Sequence, residues 1–140
     1  MKSSVVKKLL IPLLTGGLFL VLATAVLGAS GEGDSAPAGP DYYDPAVLKA
    51  ALEGEADEFI LIDVRTREEF QTGYIPGAVL NPLAEIGTRL PEVARDFPVV
   101  LYCRSGNRSA QAAGILKRAG YTNVTDFGGI SRWRYPLARP

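Results

Sequence analysis

Two kinds of apolar pattern alternate along residues 41–140. "FILIDV", Phe59 to Val64, is a short continuous apolar run closed by an aspartate, as expected for a strand covered on both faces. "VVLYC", Val99 to Cys103, is a second such run, entered after Pro98. "YIPGAVLNP" predicts turn, short strand and turn, and "VTDF" a last strand. Helical signals fall between these runs. Asp44 followed by Pro45 is an N-cap with proline at the first helical position, and Val47, Leu48, Ala51 and Leu52 then share one face up to a stop near Gly54. Thr66 with Glu69 three residues on forms a capping box, opening a short helix that ends by Gly73. Leu83 to Leu90 reads as another short helix. Ala112, Ile115, Leu116 and Ala119 line one face of a longer helix that ends at Gly120. "GGISRW" is a turn into a final helical turn. Strands alternating with helices predict an α/β domain on a mainly parallel central sheet.

The pattern before residue 41 is of another kind. Lys2, Lys7 and Lys8 precede an uncharged run from Leu9 to Gly31 rich in Leu, Val and Ala, after which Glu32 and Asp34 appear. This predicts an export signal over residues 1–29. The run exceeds the usual core of a signal peptide and suffices to span a bilayer, so it is read either as a cleaved signal, with Ala23-Thr24-Ala25 as a small-residue site, or as a membrane tether through residues 9–29. In both readings the folded part is exported, to the periplasm or the extracytoplasmic side of the membrane. Residues 30–40 are small, polar or proline and predict a flexible linker. The domain then occupies residues 41–140 and is expected to be monomeric and soluble.

Charge and cysteine content narrow the chemistry. Fifteen basic and fifteen acidic residues cancel. Removing the three N-terminal lysines leaves twelve against fifteen, so the rest carries no electrostatic footprint for nucleic acid. One cysteine, Cys103, and no histidine exclude an intramolecular disulfide and a Cys/His zinc cluster, and no cofactor or metal is implied.

Ligands of open α/β sheets bind beyond the carboxyl ends of the strands, where the pattern places Cys103. Arg104, Ser105, Gly106, Asn107 and Arg108 connect that strand to a helix N-terminus, whose unpaired N–H groups and dipole favour negative charge. Gly106 permits a tight loop with inward amides, and Arg104 and Arg108 add formal charge. Such surroundings lower a thiol from about 8.5 to roughly 3.5–7.5, so Cys103 can act as a nucleophile without a histidine base. The same cradle would bind an incoming anion, with Arg104 and Arg108 as contacts. Ser105 and Ser109 read as helix caps rather than chemical groups. Asp63 and Arg65, at the end of the neighbouring strand, are supporting residues, with an ion pair or helix-capping role favoured over a catalytic one. Trp133 reads as packing.

The segments "LIDVRTREEFQTGYIPGAVLNP", "VVLYCRSGNRSAQAAGILKRAGY" and "VTDFGGISRW" resemble a single-domain rhodanese of the sulfurtransferase family, from Asp44 to Pro136. The resemblance implies a five-stranded sheet flanked by helices, and a catalytic cysteine opening a six-residue loop, Cys103 to Arg108. It implies that Cys103 takes the outer sulfur of thiosulfate or another sulfane donor as a persulfide, which cyanide or a thiol then removes. Amides of Arg104 to Ser109 would stabilise the thiolate and the persulfide. Tyr74 stands where the family often has histidine.

Two rival functions share parts of this pattern. Cysteine-dependent phosphatases and arsenate reductases of related architecture use a Cys-x5-Arg loop, which would need arginine at position 109, where Ser109 stands. A tethered sulfur carrier or thiol sensor, holding a persulfide without turnover, is the other.

Overall fold

The computed structural model describes residues 39–54 and 59–140. The expected signal or tether and most of the linker lie outside these residues. No helix among the described residues is long and apolar enough to cross a membrane.

Four parallel strands make the sheet, in the order β2-β1-β3-β4. They are β1 (Ile60–Asp63), β2 (Val79–Leu80), β3 (Val99–Cys103) and β4 (Val124–Gly129). Helices α1 (Pro45–Leu52), α2 (Arg67–Gln71), α3 (Leu83–Ile86) and α4 (Asn107–Arg118) alternate with them, and a 3-10 turn, Ile130–Arg132, follows β4. These strands are the four that the apolar pattern marks. The fifth strand implied by the resemblance is absent among the described residues. The further β pairing there is a single antiparallel bridge, Tyr74 to Ala138, and Pro76 and Pro136 beside it lack the N–H groups that a longer ladder needs.

Side-chain alternation along β3 decides what meets what. All five of its residues are buried. Val99, Leu101 and Cys103 face one layer, packed with Ile62, Val64, Ile86, Ala112 and Leu116. Val100 and Tyr102 face the other, with Leu48, Leu61, Ile75, Phe127 and Trp133. The last residue of the strand therefore points toward α4, and the one before it toward the opposite layer.

Local signals produce the helices as read. Asp44 accepts from the Ala46 N–H at 2.7 Å ahead of Pro45, and Thr66 and Glu69 form the reciprocal capping box. The expected helix from Leu83 to Leu90 is shorter, stopping at Ile86 before Gly87. Strand β4 runs past "VTDF" through Gly128 and Gly129, because its register against β3 slips between Leu101 and Tyr102. Leu101 pairs with Asp126, but Tyr102 and Cys103 pair with Gly128 and Gly129. Gly128 takes φ +91° there, and its N–H donates to the Asp126 carboxylate at 2.9 Å.

Candidate active site

Cys103 ends β3, and α4 begins four residues later. Gly106 is the N-cap residue of α4 at φ +103°, and no side chain caps the helix. The Cys103 Sγ accepts the Gly106 N–H at 3.0 Å. A left-handed Gly106 is what turns that amide inward, a conformation that an L side chain rarely adopts. The buried thiol has its pKa lowered overall. Desolvation pushes it up, but the amides of Ser109, Gly106 and Ser105 and the Ser109 hydroxyl together pull it down further.

Ser105 and Ser109 do not cap the helix as expected. Ser105 is exposed, whereas Ser109 is buried and its hydroxyl donates to the carbonyls of Gly106 at 3.0 Å and Gly128 at 3.4 Å. Ser109 thus ties the loop to β4. Asn107 is the first residue of α4, exposed, with its side chain accepting from Gln111.

The two loop arginines differ in a way that the sequence does not reveal. The Arg108 guanidinium is committed to Glu69, with Nη1 to Oε2 at 2.6 Å and Nη2 to Oε1 at 2.8 Å. That bidentate pair holds the Glu69 carboxyl down to about 2 and raises Arg108. The same Glu69 oxygen closes the capping box on the Thr66 N–H, so one carboxylate anchors both α2 and the loop. The guanidinium that the sequence offers as an anion contact is thus paired with a carboxylate of the protein itself. Arg104 is exposed and makes no ion pair or hydrogen bond among the described residues.

Asp63 and Arg65 form a buried pair on the Tyr102 side of the sheet. Arg65 Nε and Nη2 reach the Asp63 carboxylate at 2.6–3.0 Å, and Nη2 also donates to the Gly73 carbonyl at 2.7 Å. Tyr102 lies beneath the guanidinium, its oxygen accepting the Ile75 N–H at 3.1 Å, and burial raises its hydroxyl pKa. This is the ion pair favoured over a catalytic role. Its charges are consumed in holding β1, the Gly73 turn and β3 together. Trp133 is buried, and its ring N–H donates to the Pro136 carbonyl, as a packing residue would.

Gly129 belongs to the site, though the sequence reading treats it as part of a turn. A Cβ at this position would lie 3.0 Å from the Arg104 carbonyl and 3.1 Å from the Ser105 Cα. Its φ of −89° is open to any residue, so the need for glycine is one of space. The paired glycines before an apolar residue were the available signal, but only the register slip reveals what they face.

Beside the loop is a cavity of about 530 Å³. Arg65, Arg104, Glu68 and Glu69 contribute charge to its wall, and Ile130 and Leu137 apolar surface.

A parallel α/β sheet presents one thiol at a strand end, with the Gly106 amide donating to its sulfur, an arrangement that favours the thiolate over the thiol. The model of the rhodanese-like domain matches residues 44–135, and the chain belongs to that family. It is 41% identical over 80 residues to a sulfurtransferase of Allochromatium vinosum, covering 56% of this chain and 75% of that one. It is 39% identical over 80 residues to the thiosulfate sulfurtransferase PspE of Escherichia coli, covering 56% and 77%. A rhodanese from E. coli solved with anions superposes with a TM-score of 0.53 at 34% identity, over 59% of this chain and 99% of that one. These likenesses support sulfur transfer in general.

Proposed function

We propose that this protein transfers a sulfane sulfur through a persulfide on Cys103. The Cys103 thiolate attacks the outer sulfur of thiosulfate or a similar donor, the S–S bond breaks, and sulfite departs with the bonding pair. The resulting persulfide carries one negative charge on its terminal sulfur, and cyanide or a thiol then removes that sulfur and regenerates the thiolate. The observation that carries this reading is the Gly106 N–H on the Cys103 Sγ at 3.0 Å, at a helix end that no side chain caps. Such preorganised donors favour the thiolate and the persulfide alike. Loop length argues against the phosphatase chemistry, because Ser109 stands where that loop needs arginine.

The N-terminal segment supports an exported or membrane-tethered setting, with residues 1–29 as the signal or anchor and 30–40 as the linker. That linker also supports a second reading, a tethered carrier that holds its persulfide for one partner. Intact mass after treatment with thiosulfate tests the first step by the gain of one sulfur. Thiocyanate release over many turnovers separates enzyme from carrier. Failure of every sulfane donor to add sulfur would overturn both.

A further inference from the structure

Strand β4 meets the Cys103 loop through its two glycines, and the register slip determines that it is they who do so. Asp126 pairs with Leu101, Gly128 with Tyr102 and Gly129 with Cys103, so Phe127 is the extra residue of a bulge. Beyond it the strand and the loop touch at three points. A Cβ on Gly106 would lie 3.6 Å from the Gly128 Cα and 3.8 Å from the Gly129 nitrogen, so the residue that donates to the sulfur rests on the bulge. The Gly128 carbonyl accepts the Ser109 hydroxyl at 3.4 Å. Gly129 lies so close to the Arg104 carbonyl and to Ser105 that a methyl group there has no room. Burial raises the thiol, and the amides of Ser109, Gly106 and Ser105 with the Ser109 hydroxyl bring it down further. The bulge is the floor under those donors.

One side chain holds this floor in shape. Gly128 sits at φ +91°, and its N–H donates to the Asp126 carboxylate at 2.9 Å. Asp126 is half-buried, and its carboxylate makes no ion pair and no other hydrogen bond among the described residues. A carboxylate on a strand paired with β3 opposes by its charge an anion formed at the end of β3. Its contribution is therefore one of geometry: it accepts an N–H that the bulge would otherwise leave unpaired, and so keeps Gly128 in its left-handed conformation. We infer that Asp126 is a positioning residue, which through this hydrogen bond fixes the bulge on which the Cys103 loop rests and so sets the reactivity of the sulfur. The inference rests on the sulfur-transfer reading and adds to it a residue of the neighbouring strand.

The test compares Asp126→Asn with Asp126→Ala in the full chain. Both remove the charge, and only asparagine keeps an oxygen that can accept the Gly128 N–H. Persulfide formation with thiosulfate is followed by intact mass, and alkylation of Cys103 by iodoacetamide is followed across pH, a reaction that needs no sulfur transfer. Asp126→Ala is expected to slow persulfide formation by about tenfold, as small displacements of aimed groups do, and to move the alkylation profile to higher pH. Asp126→Asn is expected to match the wild type in both. Asp126→Val, a strand former without an acceptor, repeats the alanine arm should that variant not fold. Asparagine and alanine variants that behave alike, or an alanine variant that loses thermal stability but keeps the wild-type alkylation profile, would overturn the inference. No sulfur gained by the wild type from any sulfane donor would instead overturn the reading beneath it, while the alkylation profiles still decide the role of Asp126.

Discussion

The carboxyl ends of β1 and β3 lie side by side, with Asp63 paired in register to Tyr102, yet they handle charge in opposite ways. At the end of β1, a full anion and a full cation are buried against each other and against the Gly73 carbonyl. At the end of β3 the last residue carries a thiol, and the groups that donate to it are neutral amides and one hydroxyl. The difference teaches how one sheet edge is divided between holding and reacting. Formal charges that neutralise one another fix geometry, while partial charges aimed at an unpaired sulfur stabilise whichever anion forms there.

The largest effect comes from removing the sulfur. Cys103→Ser is expected to abolish persulfide formation, read as no sulfur gained in intact mass after donor treatment. Its thermal unfolding should change little, because the serine oxygen can accept the same Gly106 amide. A retained sulfur adduct would dissolve the distinction between the two strand ends.

At the other strand end the expected loss is one of stability. Asp63→Ala leaves the Arg65 cation buried without its anion, which should cost about 3–5 kcal/mol in urea unfolding. Below the unfolding midpoint, persulfide formation per folded molecule should persist. A large fall in that rate with little loss of stability would move Asp63 from the holding side to the reacting side.

Gly129 tests how tightly the reacting end is aimed. The Gly129→Ala methyl group meets backbone of Arg104 and Ser105, which cannot swing aside as a side chain could. The loop must then shift by a few tenths of an ångström. Persulfide formation is expected to fall roughly ten- to a hundredfold, since small displacements of amides aimed at a reacting atom are costly. Because those amides are what lower the Cys103 pKa, the pH profile of thiol alkylation should move upward in the same variant. An unchanged profile would show that β4 does not set the cradle.

How much of this was legible in the sequence follows from the range of the interactions. The four strands, the capping box at Thr66 and Glu69, and Cys103 at the end of a buried strand are written in neighbouring residues, where apolar period and cap spacing act. The commitment of Arg108 to Glu69 is not, because it joins residues 39 apart through side chains that no periodicity couples. Arg104 and Arg108 therefore looked equivalent as sequence and are not so in the fold. Gly129 was hidden by a single-residue slip in the β3–β4 register, which decides whether the glycine faces solvent or the loop. The fifth strand came from the resemblance, and no apolar run of this chain stood for it.

The smallest effect tests an intermediate case, the Glu69–Arg108 pair, which uses full charges like the β1 end but sits on the reacting loop, part exposed. Its exposure limits its worth to about 1 kcal/mol or less, so Glu69→Gln should destabilise by that amount at neutral pH. Arg108 holds the folded-state carboxyl down to about 2 from 4.5, so its contribution is complete above pH 4.5 and fades as the pH falls through about 2. Wild type and Glu69→Gln should accordingly differ in urea midpoint at pH 6 and approach each other toward pH 2. The freed guanidinium would also leave the Arg108 charge unpaired near Cys103, so the same variant should gain turnover with thiosulfate, a dianion, relative to a monoanionic donor. A variant that loses stability but keeps the wild-type donor ratio would place the pair wholly with the holding side of the molecule, and Arg108 would then matter to the loop only as its anchor.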